Sequence, residues 1–223
     1  MAQTLILETA AAPPFMKNGF VLGCPRTREG VIVDPGDEVP DLIEAARRHA
    51  LRITRILLTH AHLDHVTGVA AARRAFPVPV YLHPDDQFLY DGAVQQGLMF
   101  GIRVEPPPPV DVHYGDGVDV SFGDLQVDVL HTPGHCPGGV CLAVSSKSPD
   151  VVMPSGATHE LFVGDTLFAG SIGRTDLPGG DFDTLMESIK TVLFAFPDAT
   201  PVHSGHGPVT SIGEQKRTNP FVR

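Results

Sequence analysis

Three histidines and an aspartate fall within six residues of the stretch LLTHAHLDHVTG: His60, His62, Asp64 and His65. Imidazoles and carboxylates are ligand types for Zn2+ or a similar borderline divalent ion. A polar loop whose imidazoles bond to backbone accounts well for one lone histidine. It accounts poorly for four ligand-type groups in H-x-H-x-D-H order. Three distant stretches carry further candidates. HTPGHCPGG holds His131 and His135, LFVGDTLF holds Asp165, and PVHSGHGP holds His203 and His206. Taken singly, each serves equally well as a turn residue. Taken together, at the ends of apolar runs, they form a set of metal ligands.

The elements that must position these groups follow from periodicity. ITRILL is apolar on both faces, as a strand buried between layers would be, and it ends directly at the cluster. In extended chain His60 and His62 point the same way, and a helix starting near Asp64 would turn Asp64 and His65 back toward them. Strands are expected near 4–8, 19–24, 30–34, 53–58, 78–82, 118–122, 125–131, 139–144, 159–164 and 200–203. Helices are expected over 39–50, 65–75, in two pieces between 85 and 100, from Asp181 or Asp183 to about 196, and over 211–217. Many strands with a few amphipathic helices imply layered α and β, with sheets inside and helices outside. The four prolines 106–109 favour an extended segment, and 145–158 reads as a loop.

The 223 residues suit one large domain, 1–223, with a substantial core. A net charge of −10 argues against a nucleic-acid binder. No segment approaches the roughly 20 apolar residues of a membrane span, and no basic region precedes the first apolar run, so neither membrane nor export is expected. Three cysteines with no C-x-x-C point to a reducing cytoplasm.

THAHLDH, HTPGHCPGG, FVGDTLFAGSIGRTDLPGG and SGHGPVTSIGEQKRTNPF together resemble the metallo-β-lactamase superfamily, most closely its glyoxalase II-like hydrolases of the short type II branch. The resemblance covers nearly the whole chain and implies a four-layer αβ/βα sandwich with a two-metal site at one edge of the sheets. It implies that His60, His62 and His135 hold one ion, that Asp64, His65 and His206 hold the second, and that Asp165 bridges both. Two zinc ions are implied, with iron or manganese as alternatives. The implied reaction is thioester hydrolysis by a metal-bridging hydroxide, on substrates such as S-lactoylglutathione, with Asp64 a ligand more than a free base. The helical substrate domain of longer relatives is not expected here. The Lys and Tyr of those relatives are replaced within SIGRTD, where Arg174 stands for the Lys and Asp176 falls at the Tyr. Arg174 is a candidate clamp for a substrate carboxylate, with pairing to Asp176 as the competing role. A monomer or homodimer is expected, with a small thioester as the only partner.

A persulfide dioxygenase of the same fold, with one iron on two His and one Asp, is the alternative reading; β-lactam hydrolysis and a non-catalytic metal module are more distant. His49, His83, His113 and His159 are left out of the ligand set. Asp85 is expected to cap a helix, and His131 and His203 are expected to orient ligands rather than bind metal. Cys136 is read as a small residue in a tight turn. Phe88, Tyr90, Met99 and Phe100 suit a pocket mouth and core packing equally well.

Overall fold

A computed structural model describes residues 2–222. Its two main sheets face each other. The first runs in the order Ile6–Ala12, Lys17–Gly23, Glu29–Val33, Arg52–Leu57, Val80–Leu82, Val112–His113. The second runs Thr210–Ser211, Pro201–Ser204, His159–Gly164, Val140–Ser146, Leu125–His131.

Period-two alternation builds three apolar layers from these strands. Val31, Val33 and Leu57 of the first sheet meet Leu142, Val144 and Phe162 of the second between the sheets. The alternate residues Ile32, Ile56 and Leu58 face outward, under Leu42 and Ala46 of the helix Val39–Arg48 and Val69 and Ala72 of the helix Val69–Ala75. On the far side Cys141, Ala143, Leu161 and Val163 pack under Leu185 and Ile189 of the helix Phe182–Thr191 and Ile212 of the helix Ile212–Thr218. Helices therefore cover both outer faces of a two-sheet sandwich, the metallo-β-lactamase fold expected from the motifs.

Strand direction gathers the candidate residues. Val140–Ser146 runs antiparallel to both Leu125–His131 and His159–Gly164, and Pro201–Ser204 is parallel to His159–Gly164. The strands preceding His135, Asp165 and His206 therefore all end at one edge of the second sheet. Thr59, just past Arg52–Leu57, accepts from the backbone N–H of Val140 (2.8 Å), which brings the end of the first sheet to that same edge.

Several elements differ from the sequence expectation. Residues 118–122 form no strand; only an isolated bridge, Phe122 to Leu125, closes a tight turn there, and Val112–His113 supplies the edge strand instead. The segment 145–158 is not all loop: Val151–Val152 pairs in parallel with Gln3–Thr4. The helix expected over 65–75 is two helices, Leu63–Val66 and Val69–Ala75, separated at Gly68. A Cβ there would lie 2.2 Å from the carbonyl oxygen of Gly36, so only glycine lets the helix pass the Asp34–Gly36 turn so closely. Asp181, not Asp183, caps Phe182–Thr191, accepting from the backbone N–H of Thr184 (2.8 Å).

Candidate metal centre

The strand Arg52–Leu57 delivers Thr59 to His62 in extended chain, and His62 sits at the N-cap of the short helix Leu63–Val66 that carries Asp64 and His65. All seven expected ligands meet in three overlapping groups: His60, His62 and His135; His60, His65 and Asp165; Asp64, His65 and His206. Within each group the ligand-type atoms lie within 4.8 Å of one another. Asp165 spans the cluster. Its Oδ1 is 3.3 Å from His65 Nε2, while its Oδ2 is 3.7 Å from His135 Nε2 and 3.6 Å from His206 Nε2. Asp64 accepts a hydrogen bond from His206 Nε2 at 3.0 Å.

Surrounding groups fix which ring nitrogens face inward. His135 donates Nδ1–H to the carbonyl of Arg174 (2.7 Å), so its Nε2 is a bare lone pair, 2.7 Å from His62 Nδ1. His65 directs Nδ1 to the Asp34 carboxylate (2.9 Å). His60 places Nδ1 3.1 Å from the Thr59 hydroxyl. The Nε2 atoms of His60, His62 and His65 and Oδ1 of Asp165 are buried without a hydrogen-bond partner. Buried polar atoms are nearly always satisfied, and several orphans converging on one spot are what a cation would satisfy. Gly205 shapes the same cradle: a Cβ there would lie 2.2 Å from Asp165 Oδ1 and 2.8 Å from the His65 ring. The residues present fit divalent metal.

Charge shifts agree with that chemistry. Burial lowers His62, and the neighbouring His135 adds to it, to about 3, so its imidazole is neutral and free to ligate. Burial also disfavours a charged His65, but Asp64, Asp34 and Asp165 outweigh it and raise the ring to about 10. Three carboxylates around one ring thus call for positive charge, which a proton supplies in the absence of metal. Burial alone would raise the Asp64 carboxyl, and the His65 and His206 imidazoles overcome it and hold it well below the usual carboxylate range.

Sequence reasoning missed two aspartates beneath the ligands. Asp34 accepts from the Thr59 N–H (2.7 Å) and hydroxyl (2.6 Å) as well as facing His65. It sits at φ 48°, a strained conformation for a non-glycine residue. Buried Lys17 donates to its carbonyl and to Glu38 (2.7 Å). Asp86 is fully buried and accepts from the backbone N–H groups of Ala61 (3.0 Å) and Gly138 (2.6 Å) and from the Cys136 thiol (3.2 Å). It joins the loop of His60 and His62 to the loop of His135. The only sequence signal was an acid next to or one residue beyond a Pro, in DPG and in HPDD, which reads as turn chemistry.

Other expectations need correction. His203 orients no ligand; it is 2.8 Å from Glu160 and stacks on Phe162. His131 donates to the carbonyl of Pro137 (2.8 Å), steadying the His135 loop rather than the ligand itself. His83, not Asp85, caps the turn that follows it, accepting from the Asp85 N–H at 3.3 Å. His83, Asp85 and His131 also come together, but the two rings stack in parallel, 4.2 Å apart at 11°. Their in-plane lone pairs run side by side instead of converging, which does not suit one ion. Arg174 lines the same cavity as the ligands, and its guanidinium forks onto Asp176 through two 2.7 Å bonds. Among the described residues no helix is long and apolar enough to cross a membrane.

The profile of the metallo-beta-lactamase superfamily matches residues 12–148. The chain is 34% identical to the hydroxyacylglutathione hydrolase GloC of Haemophilus influenzae, over 87% of this chain and 88% of that one. It superposes on the crystal structure of the BLEG-1 B3 metallo-β-lactamase with a TM-score of 0.84, 36% identity and coverage of 97% and 99%. The di-iron-bound form of TTHA1623 gives a TM-score of 0.80, 40% identity and coverage of 96% and 99%.

Proposed function

The chain belongs to the metallo-β-lactamase superfamily and is a metal-dependent hydrolase of that fold; within it, we propose a two-metal thioester hydrolase acting on hydroxyacylglutathiones such as S-lactoylglutathione. One observation carries the reading. The Asp165 carboxylate lies between the group containing His135 and the group containing Asp64 and His206, within 3.7 Å of ring nitrogens on both sides. A shared carboxylate between two ligand sets is what a pair of ions requires. His60, His62 and His135 would hold one ion, Asp64, His65 and His206 the other, and Asp165 both. Zinc suits this nitrogen-rich set, and the di-iron form of TTHA1623 supports iron as an alternative.

Two bound divalent ions supply a water of near-neutral pKa and electrophilic sites for a carbonyl oxygen and a leaving thiolate. The protein's own residues do the rest. His135 and His65 direct their Nδ1–H groups at the Arg174 carbonyl and the Asp34 carboxylate, so the Nε2 lone pair of each would face the ions, that of His65 once metal displaces its proton. Asp64 stays ionised and is a ligand more than a free base. Arg174 stands at the substrate side of the cavity as a candidate carboxylate contact, where a substrate would have to compete with Asp176.

The single-iron dioxygenase alternative needs two histidines and one aspartate and leaves four of the seven candidate ligands without a task. Turnover of S-lactoylglutathione by metal-loaded protein, abolished by chelation, is the expected result. No thioester turnover, with oxygen uptake on glutathione persulfide, would replace the hydrolase reading with the dioxygenase one. Turnover of a β-lactam alone would move the activity toward that of the BLEG-1 comparison.

A further inference from the structure

The cavity over the candidate metal centre is a half-open cleft of about 240 Å3, and its non-ligand wall is largely apolar: Phe15, Leu63, Phe100 and Leu177. Phe15 comes from the turn joining the first two strands of the first sheet, and Phe100 from the end of the helix Ala93–Met99. Their rings meet edge to face, 6.2 Å apart, yet Phe100 remains 63% exposed. The sequence neighbours Met16 and Met99 are exposed as well. The two polar non-ligand residues of the wall are both engaged. Gln96 donates its amide to the carbonyl of Leu89 (2.8 Å), and Arg174 is paired with Asp176.

From this wall we infer that, among thioesters, the site accepts the small lactoyl group but favours longer apolar acyl groups over it and makes few contacts to the thiol carrier; the inference rests on the thioesterase reading. A cavity of this volume is smaller than most drug-sized ligand pockets. It has room for an acyl chain of a few carbons and opens to solvent, so a carrier as large as a tripeptide would lie mostly at its mouth. Among the described residues the cation lining the cavity is Arg174, which is already paired with Asp176, so a carrier carboxylate would have to displace that pairing. The acyl chain lies against Phe15 and Phe100 and removes their exposed edges from water, a gain that rises with each buried methylene.

The test is the rate constant kcat/KM of metal-loaded protein on acetyl, butyryl and hexanoyl thioesters, each built on glutathione and on neutral N-acetylcysteamine. The expected result is a rise of about tenfold or more from acetyl to hexanoyl on both carriers, with carriers differing less than acyl groups. Phe100→Ala should lower the hexanoyl-to-acetyl ratio about five- to tenfold, mainly through KM. Phe100 is exposed, so the variant should fold. A flat acyl series, an unchanged ratio in Phe100→Ala, or a strong preference for glutathione would overturn the inference and leave the thioesterase reading intact. Calorimetric titration of a non-hydrolysable hexanoyl-type thioether tests the wall without turnover. Binding that weakens about fivefold in Phe100→Ala, with no thioester hydrolysed, would keep the wall and remove the thioesterase reading. No binding of the thioether would overturn the wall directly.

Discussion

Asp86 holds together the two loops that carry candidate metal ligands, and Asp86→Ala should cost both stability and metal affinity. The residue is fully buried and accepts two backbone N–H bonds and one thiol bond. Its loss leaves the Ala61 and Gly138 donors buried without an acceptor, at about 1–3 kcal/mol each. The total, on the order of 3–5 kcal/mol, is a large part of the roughly 5–15 kcal/mol that keeps a domain folded. For a chain of this size that is a fall in melting temperature of roughly 6–20 °C. Freed loops also stop fixing His62 against His135, which now approach to 2.7 Å, and a supporting contact of this kind is commonly worth about 10–100-fold in metal affinity. Asp86→Asn keeps one acceptor oxygen but turns an amide N–H2 toward a donor, so it should fall between the two. Melting of chelated and metal-loaded protein, with competition titration against a chromophoric chelator, measures both effects. An alanine variant melting within about 2 °C of the parent and binding metal equally well would refute the reasoning.

Asp165→Ala should lower the content of both ions, whereas His206→Ala should mainly cost one; metal counts per chain on purified variants decide it, and two retained ions in Asp165→Ala would remove the bridging assignment. Chelation should destabilise the protein, because metal at about a thousand times its dissociation constant adds about 4 kcal/mol; a melting temperature insensitive to chelator would mean that the orphaned imidazoles hold no metal. Alkaline pH should destabilise through Cys141. Burial pushes its thiol up from 9.0 to about 11, against weaker opposing bonds from Thr132 and Thr166. Between those values the folded state keeps a proton that the unfolded state has released, so stability is full below pH 9 and falls as pH rises toward 11, by up to about 3 kcal/mol. Cys141→Ala should flatten that part of a stability–pH curve, and an unchanged slope would exclude the thiol.

The seven candidate ligands that the fold brings together could be picked out in the sequence because their chemistry is local. His60, His62, Asp64 and His65 declare themselves by type and spacing, and His135, Asp165 and His206 stand where apolar runs end at Gly or Pro. The layers were legible too, since ITRILL is apolar on both faces, as a strand buried between layers must be. Short edge strands were not. Val112–His113 and Val151–Val152 are two residues each and exist only through the strands they pair with. Asp34 and Asp86 were equally hidden, because an acid within two residues of a proline looks like a turn residue whatever it binds. Their partners lie 25 to 52 residues away. Arg174 was open between a substrate carboxylate and Asp176, and folding brought the second within reach. The sequence by itself determined which atoms can ligate metal and which faces must be buried, since both follow from side-chain type and short-range period. Only the tertiary structure decided which nitrogen of each imidazole faces inward, which carboxylates support the ligands and which apolar wall meets the substrate. Those depend on distances between segments that share no local pattern.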